Sequence, residues 1–246
     1  MKEAINYRVT ILIPTYNRAN LINRTIENCF EQTFKKFKII IYDDGSTDDT
    51  AIIIKKLQIK YPNRIKYIKG KINNGVGFSR NILLKNLTTE YGVWLDSDDI
   101  MDSNRLYKCI KYMNRHKDVS IVYSYISRFT EIDGIFTTKG SEIKLDTSKF
   151  DKTDYNSLKS NTTCATAFFR NTIKNVEIEL LRYGSEDVLW LWKILNMNIK
   201  VGQISESLYF YRVHNDRLGI EKRTKTEKKR LEDIIIFEKI NEYRNG

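Results

Sequence analysis

Short apolar runs alternate with amphipathic segments through the first hundred residues, and this alternation constrains the fold more than any other feature of the sequence. The apolar runs are β-branched and too short for helices, which predicts buried strands at Tyr7–Pro14, Phe37–Tyr42, Ile65–Ile68 and Gly92–Leu95. Helical spacing of apolar residues predicts a helix after each of the first three strands, one capped by Asn20, one capped by Thr47 or Asp48, and one over Gly77–Leu87. Strands that alternate with helices are typical of a parallel sheet covered on both faces.

Polar side chains cluster directly after three of these strands. The clusters are Thr15–Asn17, Asp43–Ser46 and Asp96–Asp99. Ligands of open parallel sheets bind beyond the carboxyl ends of the strands, where the loops of neighbouring strands meet. We therefore expect the three clusters to line one crevice.

The chain after Asp99 has a looser pattern. The elements predicted there are helices over Asn104–His116, Glu186–Asn196 and Glu221–Tyr243, and strands over Ser120–Tyr125, Thr166–Arg170 and Ser207–Val213. The segment Thr130–Thr163 is polar and poorly periodic, so no element is predicted within it. The sequence has no internal repeat, no low-complexity linker and no clear domain boundary.

Positive charge is concentrated in two blocks of this chain, whose formal net charge is +11. No acid occurs from Thr50 to Thr89, and Lys55–Lys85 contains nine basic residues. Seven bases and two acids lie in Arg217–Arg230. A basic field of this kind suits nucleic acid, an anionic membrane or a phosphorylated small molecule, although lysines also decorate ordinary solvent-exposed faces.

The cysteines and apolar runs indicate a cellular compartment. Cys29, Cys109 and Cys164 are widely separated and form no C-x-x-C pair, which favours a reducing compartment. No apolar run approaches the roughly 20 residues of a membrane-spanning helix, and the first residues do not resemble a secretory signal. A cytoplasmic protein is expected.

Acidic residues after the second and fourth strands are candidates for binding. Asp96, Asp98 and Asp99 could share a divalent cation such as Mg²⁺ or Mn²⁺, or could form a solvated turn in which Asp99 or Asp102 caps the next helix. Asp43 and Asp44 could accept hydrogen bonds from a base or a ribose, although DDGS by itself is an unspecific turn signal.

Three later features could also carry chemistry. The loop Asn73–Asn81 (NNGVGFSRN) combines glycines with Arg80 and would allow a diphosphate to approach the backbone, but it is not the G-x-G-x-x-G fingerprint of dinucleotide-binding proteins. Glu186 and Asp187 open a helix, either as ordinary helix-dipole partners or as a general base. His214 is a candidate metal ligand or phosphate contact, and a structural role is equally consistent with its position.

Taken in order, these segments resemble the family 2 glycosyltransferases, which are inverting enzymes with the GT-A fold. The resemblance rests on VTILIPTYNRANLI, IIIYDDGSTDDT, NNGVGFSRN, YGVWLDSDDIMDSNRL and GSEDVLWLWKI, and it extends from Val9 to about Asn215. Sugar nucleotidyltransferases have a similar sheet, but a glycine-rich, arginine-containing loop would be expected where this chain has TYNRAN.

The resemblance implies a role for each matching residue. The nucleotide-binding residues it implies are Pro14, Thr15, Tyr16, Asp43, Asp44, Asn74, Gly75, Arg80 and Asp96. The metal ligands it implies are Asp98, with Asp96, Asp99 and, least securely, His214. Asp187 is implied as the catalytic base, with Glu186 orienting a sugar.

The resemblance also implies the fold, the reaction and the partners. We expect a Rossmann-like, mostly parallel sheet in a catalytic domain over residues 1–216, with a nucleotide-sugar half (1–100), a smaller mixed acceptor half (101–216) and a basic helical tail (217–246). The donor would be a nucleotide sugar, normally a UDP-sugar, used with Mn²⁺ or Mg²⁺, and the acceptor a saccharide or lipid-linked molecule at the inner face of the membrane, contacted through 217–243. A non-catalytic sugar-nucleotide-binding protein and a nucleic-acid-binding protein are the alternatives, the second disfavoured because strand-end carboxylates would repel phosphates.

Overall fold

A computed structural model describes residues 6–132, 134–150, 166–180 and 186–213. Within these ranges the strands are β1 Val9–Thr15, β2 Phe37–Asp43, β3 Ile65–Lys69, β4 Tyr91–Trp94, β5 Ile100–Met101, β6 Val119–Ile132, β7 Ile135–Ile143, β8 Phe168–Arg170 and β9 Lys200–Arg212. The helices are α1 Ala19–Phe30, α2 Thr50–Lys60, α3 Val76–Lys85, α4 Arg105–Arg115 and α5 Glu186–Asn196. The predicted helix Glu221–Tyr243 and the candidate ligand His214 lie outside the described residues.

The first half of the sheet is parallel, in the order β3-β2-β1-β4. All seven residues of β1 are buried, as expected for a central strand covered on both faces. The connections β1-α1-β2 and β2-α2-β3 run in one direction along the sheet, whereas the connection through α3 runs back to β4. Because such crossovers are right-handed, α1 and α2 lie on one face and α3 packs on β1 and β2 from the other.

The second half of the sheet is mixed. β8 pairs antiparallel with β4, β6 pairs antiparallel with β8, and β9 is parallel to β6 and carries the short β5 on its far side. The predicted combination of a mostly parallel sheet with a smaller mixed region is confirmed.

The main error in the element prediction concerns Thr130–Thr163. β6 continues to Ile132, and β7 returns antiparallel along it through a turn at Gly134, whose φ is 77°. Ile132 and all residues from Gly134 to Thr138 face solvent, so the end of the hairpin has no apolar alternation that would reveal it in the sequence. The two-residue strand β5 was also missed, because its pairing with β9 is a purely tertiary contact.

The predicted cap of α1 is wrong, whereas Asp48 and Asp102, each one of two predicted alternatives, accept N–H groups at the starts of α2 and α4. Asn20 does not cap α1, which begins at Ala19; instead Asp48 accepts the Ala19 N–H at 3.0 Å. The same carboxylate accepts the Thr50 N–H of α2 at 3.1 Å, so one aspartate satisfies the ends of both helices. Asp102 accepts the N–H of Asn104 ahead of α4, which leaves Asp99 without a capping role.

Helix α5 is the element that links the two halves of the core. Trp190 is fully buried and its ring lies edge-on to Trp94 of β4 at 6.3 Å and to Phe169 of β8 at 5.7 Å. This packing fixes the N-terminal end of α5, and therefore Glu186, close to the carboxyl end of β4. Among the described residues, no helix is long and apolar enough to cross a membrane.

Candidate functional site

The loops that follow β1 and β2 are joined into one unit by hydrogen bonds. The N–H of Asn17 donates to the Ser46 hydroxyl at 2.9 Å, and the Asn17 amide oxygen accepts the Thr47 N–H at 2.9 Å. Asn17 adopts the left-handed conformation, with φ 49°, which asparagine tolerates better than most residues. The predicted clusters Thr15–Asn17 and Asp43–Ser46 therefore meet at one edge of the sheet.

Asp43 and Asp44 are both buried, and each is engaged by the surrounding loops. Asp43 accepts the Ser46 N–H at 2.8 Å and the Tyr67 hydroxyl at 2.6 Å. Asp44 accepts the N–H groups of Asn74, at 3.0 Å, and Gly75, at 2.7 Å. Burial raises the pKa of Asp44 above its usual value, although these two N–H groups act in the opposite direction.

The two loops touched by Asp44 depend on glycine for different reasons. Gly45 has φ 79°, and a Cβ there would lie 2.9 Å from the Ile72 backbone, so both conformation and space require glycine. Gly75 has φ 93° at the start of α3 and open space around it. At Gly77 the backbone that comes close is the carbonyl of Glu179, since a Cβ would lie 2.4 Å from its oxygen, so this glycine serves packing within the chain instead of an approach by phosphate.

The first nucleotide-binding candidates lie at the end of β1. Pro14 and Thr15 are buried and Tyr16 is half-buried. The carbonyl of Thr15 accepts the Asp44 N–H at 2.9 Å, which draws the two strand ends together. The Thr15 hydroxyl is buried and has no hydrogen-bond partner within the described residues, so it is available to a bound molecule.

Arg80 is the centre of the charged part of the site. Its guanidinium is only 4% exposed, and it donates to Glu186 at 2.7 Å and to Asp96 at 3.0 Å. One residue of α3 thereby holds the end of β4 and the start of α5 together, across separations of 16 and 106 residues in sequence. Two of its N–H groups are thus used by carboxylates, which gives Arg80 a positioning role, and its expected contact with a diphosphate stays a prediction.

Glu186 differs sharply from its neighbour Asp187. Glu186 is buried, and its second oxygen, Oε2, has no hydrogen-bond partner within the described residues. Burial, reinforced by the charge of Asp187, raises the pKa of Glu186 to about 7. Asp187 is half-buried and accepts the N–H of Val188 at 2.9 Å.

The acids after β4 separate into two kinds. Asp96 and Asp98 are half-buried and face arginines, Arg80 for Asp96 and Arg18 for Asp98, the latter at 3.2 Å. Burial raises the pKa of Asp96 even though 31% of its side chain is exposed and Arg80 acts in the opposite direction.

Asp99, by contrast, is 1% exposed and belongs to the framework. It accepts the Tyr209 hydroxyl at 2.5 Å and the Arg212 N–H at 2.7 Å, both from β9. Both carboxylate oxygens are thus occupied by the protein itself. We therefore revise the expectation that Asp99 helps to bind a metal.

The remaining carboxylates fit a small metal site of limited protein content. No set of three or more His, Cys, Asp and Glu residues within the described ranges is arranged to hold a metal ion. Asp96 and Asp98 nevertheless offer two hard oxygen donors at the crevice, and Mg²⁺-type ions are commonly held by one or two carboxylates plus phosphate and water oxygens. The carboxylates of Asp96 and Asp98 fit such an ion, provided that the ion pair between Arg18 and Asp98 opens.

Sequence reasoning missed three residues of the site framework. Arg18 lies inside the quoted TYNRAN motif, so its position was visible but its pairing with Asp98 was not. Tyr209 and Arg212 come from the strand SLYFYRV, more than a hundred residues from the acids they contact, and no local signal identifies them. Arg212 also donates to the Asp98 carbonyl at 2.7 Å, which fixes the backbone of the acidic loop.

Comparison with known proteins agrees with this geometry. The sequence pattern described as Glycosyl transferase family 2 matches residues 10–177. A β-1,3-glucosyltransferase from Escherichia coli, WfaP, named for UDP-Glc and GlcNAc-diphosphoundecaprenol, is 32% identical over 87% of this chain and 80% of its own length. GgaB, a minor teichoic acid biosynthesis protein of Bacillus subtilis, is 27% identical over 92% of this chain, which spans only a quarter of that relative.

A solved structure provides an independent comparison of the fold. The S. aureus protein TarS, crystallised with UDP-GlcNAc, superimposes with a TM-score of 0.68 at 20% sequence identity, over 85% of this chain and 60% of that one. Because identity is low, this likeness concerns the fold alone. The family pattern, in contrast, matches well over half of the 246 residues. The protein is therefore a member of glycosyltransferase family 2.

Proposed function

We propose that this glycosyltransferase moves a sugar from a nucleotide sugar, with a UDP-sugar as the expected donor, to a hydroxyl of a saccharide or lipid-linked acceptor. The observation that carries the proposal is the Arg80 bridge, which holds Glu186 and Asp96 on one guanidinium. Asp187 is close enough to Asp96 for its charge to raise the pKa of that group. The Glu-Asp pair of α5 thus borders the crevice at the carboxyl end of the sheet, where ligands of such sheets bind.

The donor and acceptor classes are inferred from relatives. WfaP is named for a UDP-sugar donor and a diphosphoundecaprenol-linked acceptor, and TarS was crystallised with UDP-GlcNAc. GgaB is named for teichoic acid biosynthesis. A UDP-sugar and a cell-surface polysaccharide or its lipid-linked precursor are the corresponding proposals for this chain.

In this proposal the nucleoside lies against Pro14, Thr15 and Tyr16. Asp44 contributes to the base pocket, both directly and by holding the Asn74–Gly75 turn in place. Asp43 contributes indirectly, because its carboxylate oxygens accept hydrogen bonds from the loop after β2 and from β3.

Transfer requires one proton to move and one bond to be exchanged for another. Asp187 removes the proton from the acceptor hydroxyl, whose oxygen then attacks the anomeric carbon from the face opposite the leaving group. The bond between that carbon and the diphosphate oxygen breaks, and the nucleoside diphosphate leaves with the bonding electrons. A single displacement of this kind inverts the anomeric configuration. Oε2 of Glu186 is available to hold a sugar hydroxyl.

A metal ion fits beside these groups. Mn²⁺ or Mg²⁺ held by Asp98, with Asp96 nearby, would supply positive charge that stabilises the leaving diphosphate. His214 remains a further candidate ligand that lies outside the described residues. Arg80 holds the carboxylates of Asp96 and Glu186 in place as a positioning residue.

Replacement of Asp187 tests the proposed base. We expect Asp187→Asn to lower the rate of transfer by about a thousandfold, because no base then removes the proton from the attacking hydroxyl. Nucleotide affinity should stay nearly unchanged. Release of UDP from UDP-sugars and calorimetric binding of UDP measure the two effects. Asp118→Asn is the matched control, since Asp118 lies on the exposed surface paired with Lys200. Near-normal turnover in Asp187→Asn would remove Asp187 from this role.

A panel of nucleotide sugars decides between catalysis and simple binding. A bound donor stabilises the native state by mass action, so the correct donor should raise the melting temperature, more so with Mn²⁺. Turnover of that donor supports the enzyme, whereas stabilisation without any hydrolysis or transfer supports a non-catalytic sugar-nucleotide-binding protein. Tight, salt-dependent binding of an oligonucleotide would favour the nucleic-acid alternative.

The rest of the proposal is based on sequence. It comprises a catalytic domain over 1–216 in a donor half (1–100) and an acceptor half (101–216), a cytoplasmic location, and membrane contact through the basic tail 217–246. Unchanged vesicle binding after removal of residues 217–246 would contradict the contact through the tail.

A further inference from the structure

Helix α2 carries large apolar side chains on both of its faces. Ile54 and Leu57 are buried in the core, as expected for the inner face. On the opposite side, Ile52 is 53% exposed and Ile59 is 82% exposed. A helix on the surface of a globular protein normally presents polar residues outward, so the outer face of α2 is suited to surroundings other than water.

The exposed residues form one stripe along the helix. Ile52, Lys55, Lys56 and Ile59 follow the spacing i, i+3, i+4, i+7, which places them on a single face about 10 Å long. An isoleucine stands at each end, with two exposed lysines between them. The long lysine side chains can extend their ammonium groups away from an apolar phase that the isoleucines enter.

The edge strand beside α2 and the loop that follows it also expose lysine and isoleucine side chains. β3 is the edge strand of the sheet and packs against α2, and Lys69 at its end is exposed. Lys71 and Ile72 follow, with Ile72 66% exposed and its backbone packed against Gly45 in the loop that leads to α2. We call the surface formed by Ile52, Lys55, Lys56, Ile59, Lys69, Lys71 and Ile72 the α2–β3 face.

The lysines of the α2–β3 face have no internal partners. Within the described residues, the side chains of Lys55, Lys56, Lys69 and Lys71 make no hydrogen bond or ion pair. The side chain of the neighbouring Lys60, in contrast, is paired with Glu27 at 2.6 Å. No acid occurs from Thr50 to Thr89. Along the sequence, the acids closest before α2 are Asp48 and Asp49, and Asp48 caps two helices, while Glu27 of α1 is paired with Lys60. The face is therefore strongly positive.

We propose that the α2–β3 face docks on an anionic lipid membrane, with Ile52 and Ile59 inserted among the lipids and the lysines bound to headgroup phosphates. Isolated apolar side chains that protrude between lysines suit the interface of a bilayer, where each can insert separately. A protein partner would instead require a contiguous apolar core depleted of lysine. Because the Ile72–Gly75 turn joins this face to Asp44, docking would bring the crevice near the lipid surface, where the proposed function places a lipid-linked acceptor.

The first test removes the apolar anchors. Full-length protein is sedimented with phosphatidylcholine vesicles that contain roughly one third phosphatidylglycerol, and Ile52→Ser/Ile59→Ser is expected to lower the partition coefficient by about tenfold. Ile132→Ser/Ile135→Ser is the matched control, because these isoleucines are equally exposed on the β6–β7 turn. Equal binding by the α2 variant and the wild type, or loss only in the control variant, overturns the proposal.

The second test removes charge without touching the core. Lys55→Gln/Lys56→Gln should lower binding by about tenfold at low salt and show a weaker dependence on salt, while Lys111→Gln/Lys117→Gln, which removes the same charge from another exposed surface, should retain most of it. Wild-type protein that does not bind these vesicles, or that binds vesicles of phosphatidylcholine alone as well, overturns the proposal. A concentration-dependent dimer that Ile52→Ser/Ile59→Ser dissolves would assign the face to a second copy instead.

These measurements do not depend on catalysis. Vesicle binding is measured without a donor, and UDP release is measured without vesicles, so failure of one proposal is distinguishable from failure of the other. The tail 217–246 is present in every variant, so differences among them report on the α2–β3 face. Circular dichroism establishes that each variant is folded, and the lysine pair provides a second route should the isoleucine variant be unstable.

Discussion

Two acidic loops of this protein look alike in sequence and differ in the structure. Asp43 and Asp44 follow β2, and Asp96, Asp98 and Asp99 follow β4, each group directly after a buried strand. At the end of β2, the described partners are neutral N–H groups of nearby loops and the hydroxyl of Tyr67 in β3. In the loop after β4, two of the three acids face buried arginines instead.

This difference indicates which of the acids can bind a ligand or a metal ion. A carboxylate satisfied by neutral donors of its own framework mainly fixes backbone, as Asp43 does after β2 and Asp99 does after β4. A half-buried carboxylate paired with an arginine is partly accessible, and a ligand or metal can compete with the arginine for it. Asp96 and Asp98 are of this second kind.

The largest effect is expected from removing the arginine at the centre of the second loop. Arg80→Met leaves two carboxylates, those of Glu186 and Asp96, without their cation in a buried setting, and should lower the free energy of unfolding by about 3–5 kcal/mol at neutral pH. The loss should be smaller near pH 5, where Glu186 can be neutralised by a proton. Urea denaturation measures both values.

Arg115→Met provides the control, because Arg115 is exposed at the end of α4. Equal stability of Arg80→Met and Arg115→Met would mean that the bridge contributes little. Arg80→Lys should restore only part of the loss, since an ammonium group cannot reproduce the two-pronged geometry.

A second effect concerns the pH dependence of stability. Burial raises the pKa of Glu186 from 4.5 to about 7, so the folded protein retains a proton that the unfolded chain releases between these values. Its contribution to stability is therefore full below about pH 4.5 and is lost as the pH rises to about 7. Glu186→Gln cannot titrate, so its unfolding free energy should decline less over this range than that of the wild type.

Urea denaturation at about pH 5 and about pH 7.5 tests this expectation. Glu206→Gln is the control, because Glu206 is an exposed partner of Lys108. Parallel pH profiles for the wild type and Glu186→Gln would contradict the assigned burial effect.

The smallest effect is expected in the loop after β2. Asp43→Asn retains one amide oxygen for the Ser46 N–H, and the Tyr67 hydroxyl can rotate to accept from the new amide group. We expect a loss of about 1 kcal/mol, because a neutral hydrogen bond replaces one to a charged group. Thermal unfolding compares it with Asp49→Asn at an exposed position without a side-chain cap. A loss as large as that of Arg80→Met would erase the distinction between the two loops.

Much of the parallel half could be predicted from the sequence. Its strands are short β-branched runs and its helices carry apolar residues at helical spacing, so both kinds of element are encoded locally, and the strands lie within a residue or two of their predicted bounds. Helix α5 was predicted with both of its ends. The turn of the β6–β7 hairpin and the start of β7 could not be predicted, because Ile132 and Ile135–Thr138 face solvent and carry no alternation of buried and exposed residues.

The sequence predicted which residues form the candidate site better than it predicted the contacts among them. The clusters after β1, β2 and β4 do meet, since parallel strands end at the same edge of a sheet. The commitment of Arg80 to two carboxylates was not visible, because its partners lie 16 and 106 residues away. Gly77 also looked like part of a phosphate loop until its contact with the Glu179 carbonyl was known.

Local sequence is enough to predict the alternation of strands and helices, the acids at the strand ends and the family of the chain. These depend on hydrophobic periodicity and on motifs a few residues long. The folded structure was needed to show that Asp99 is hydrogen-bonded to β9 while Asp98 faces Arg18. It was also needed to show that α2 exposes isoleucines to solvent. The physical reason is that burial and charge pairing are properties of the surroundings of a side chain, and those surroundings are assembled from segments far apart in the chain.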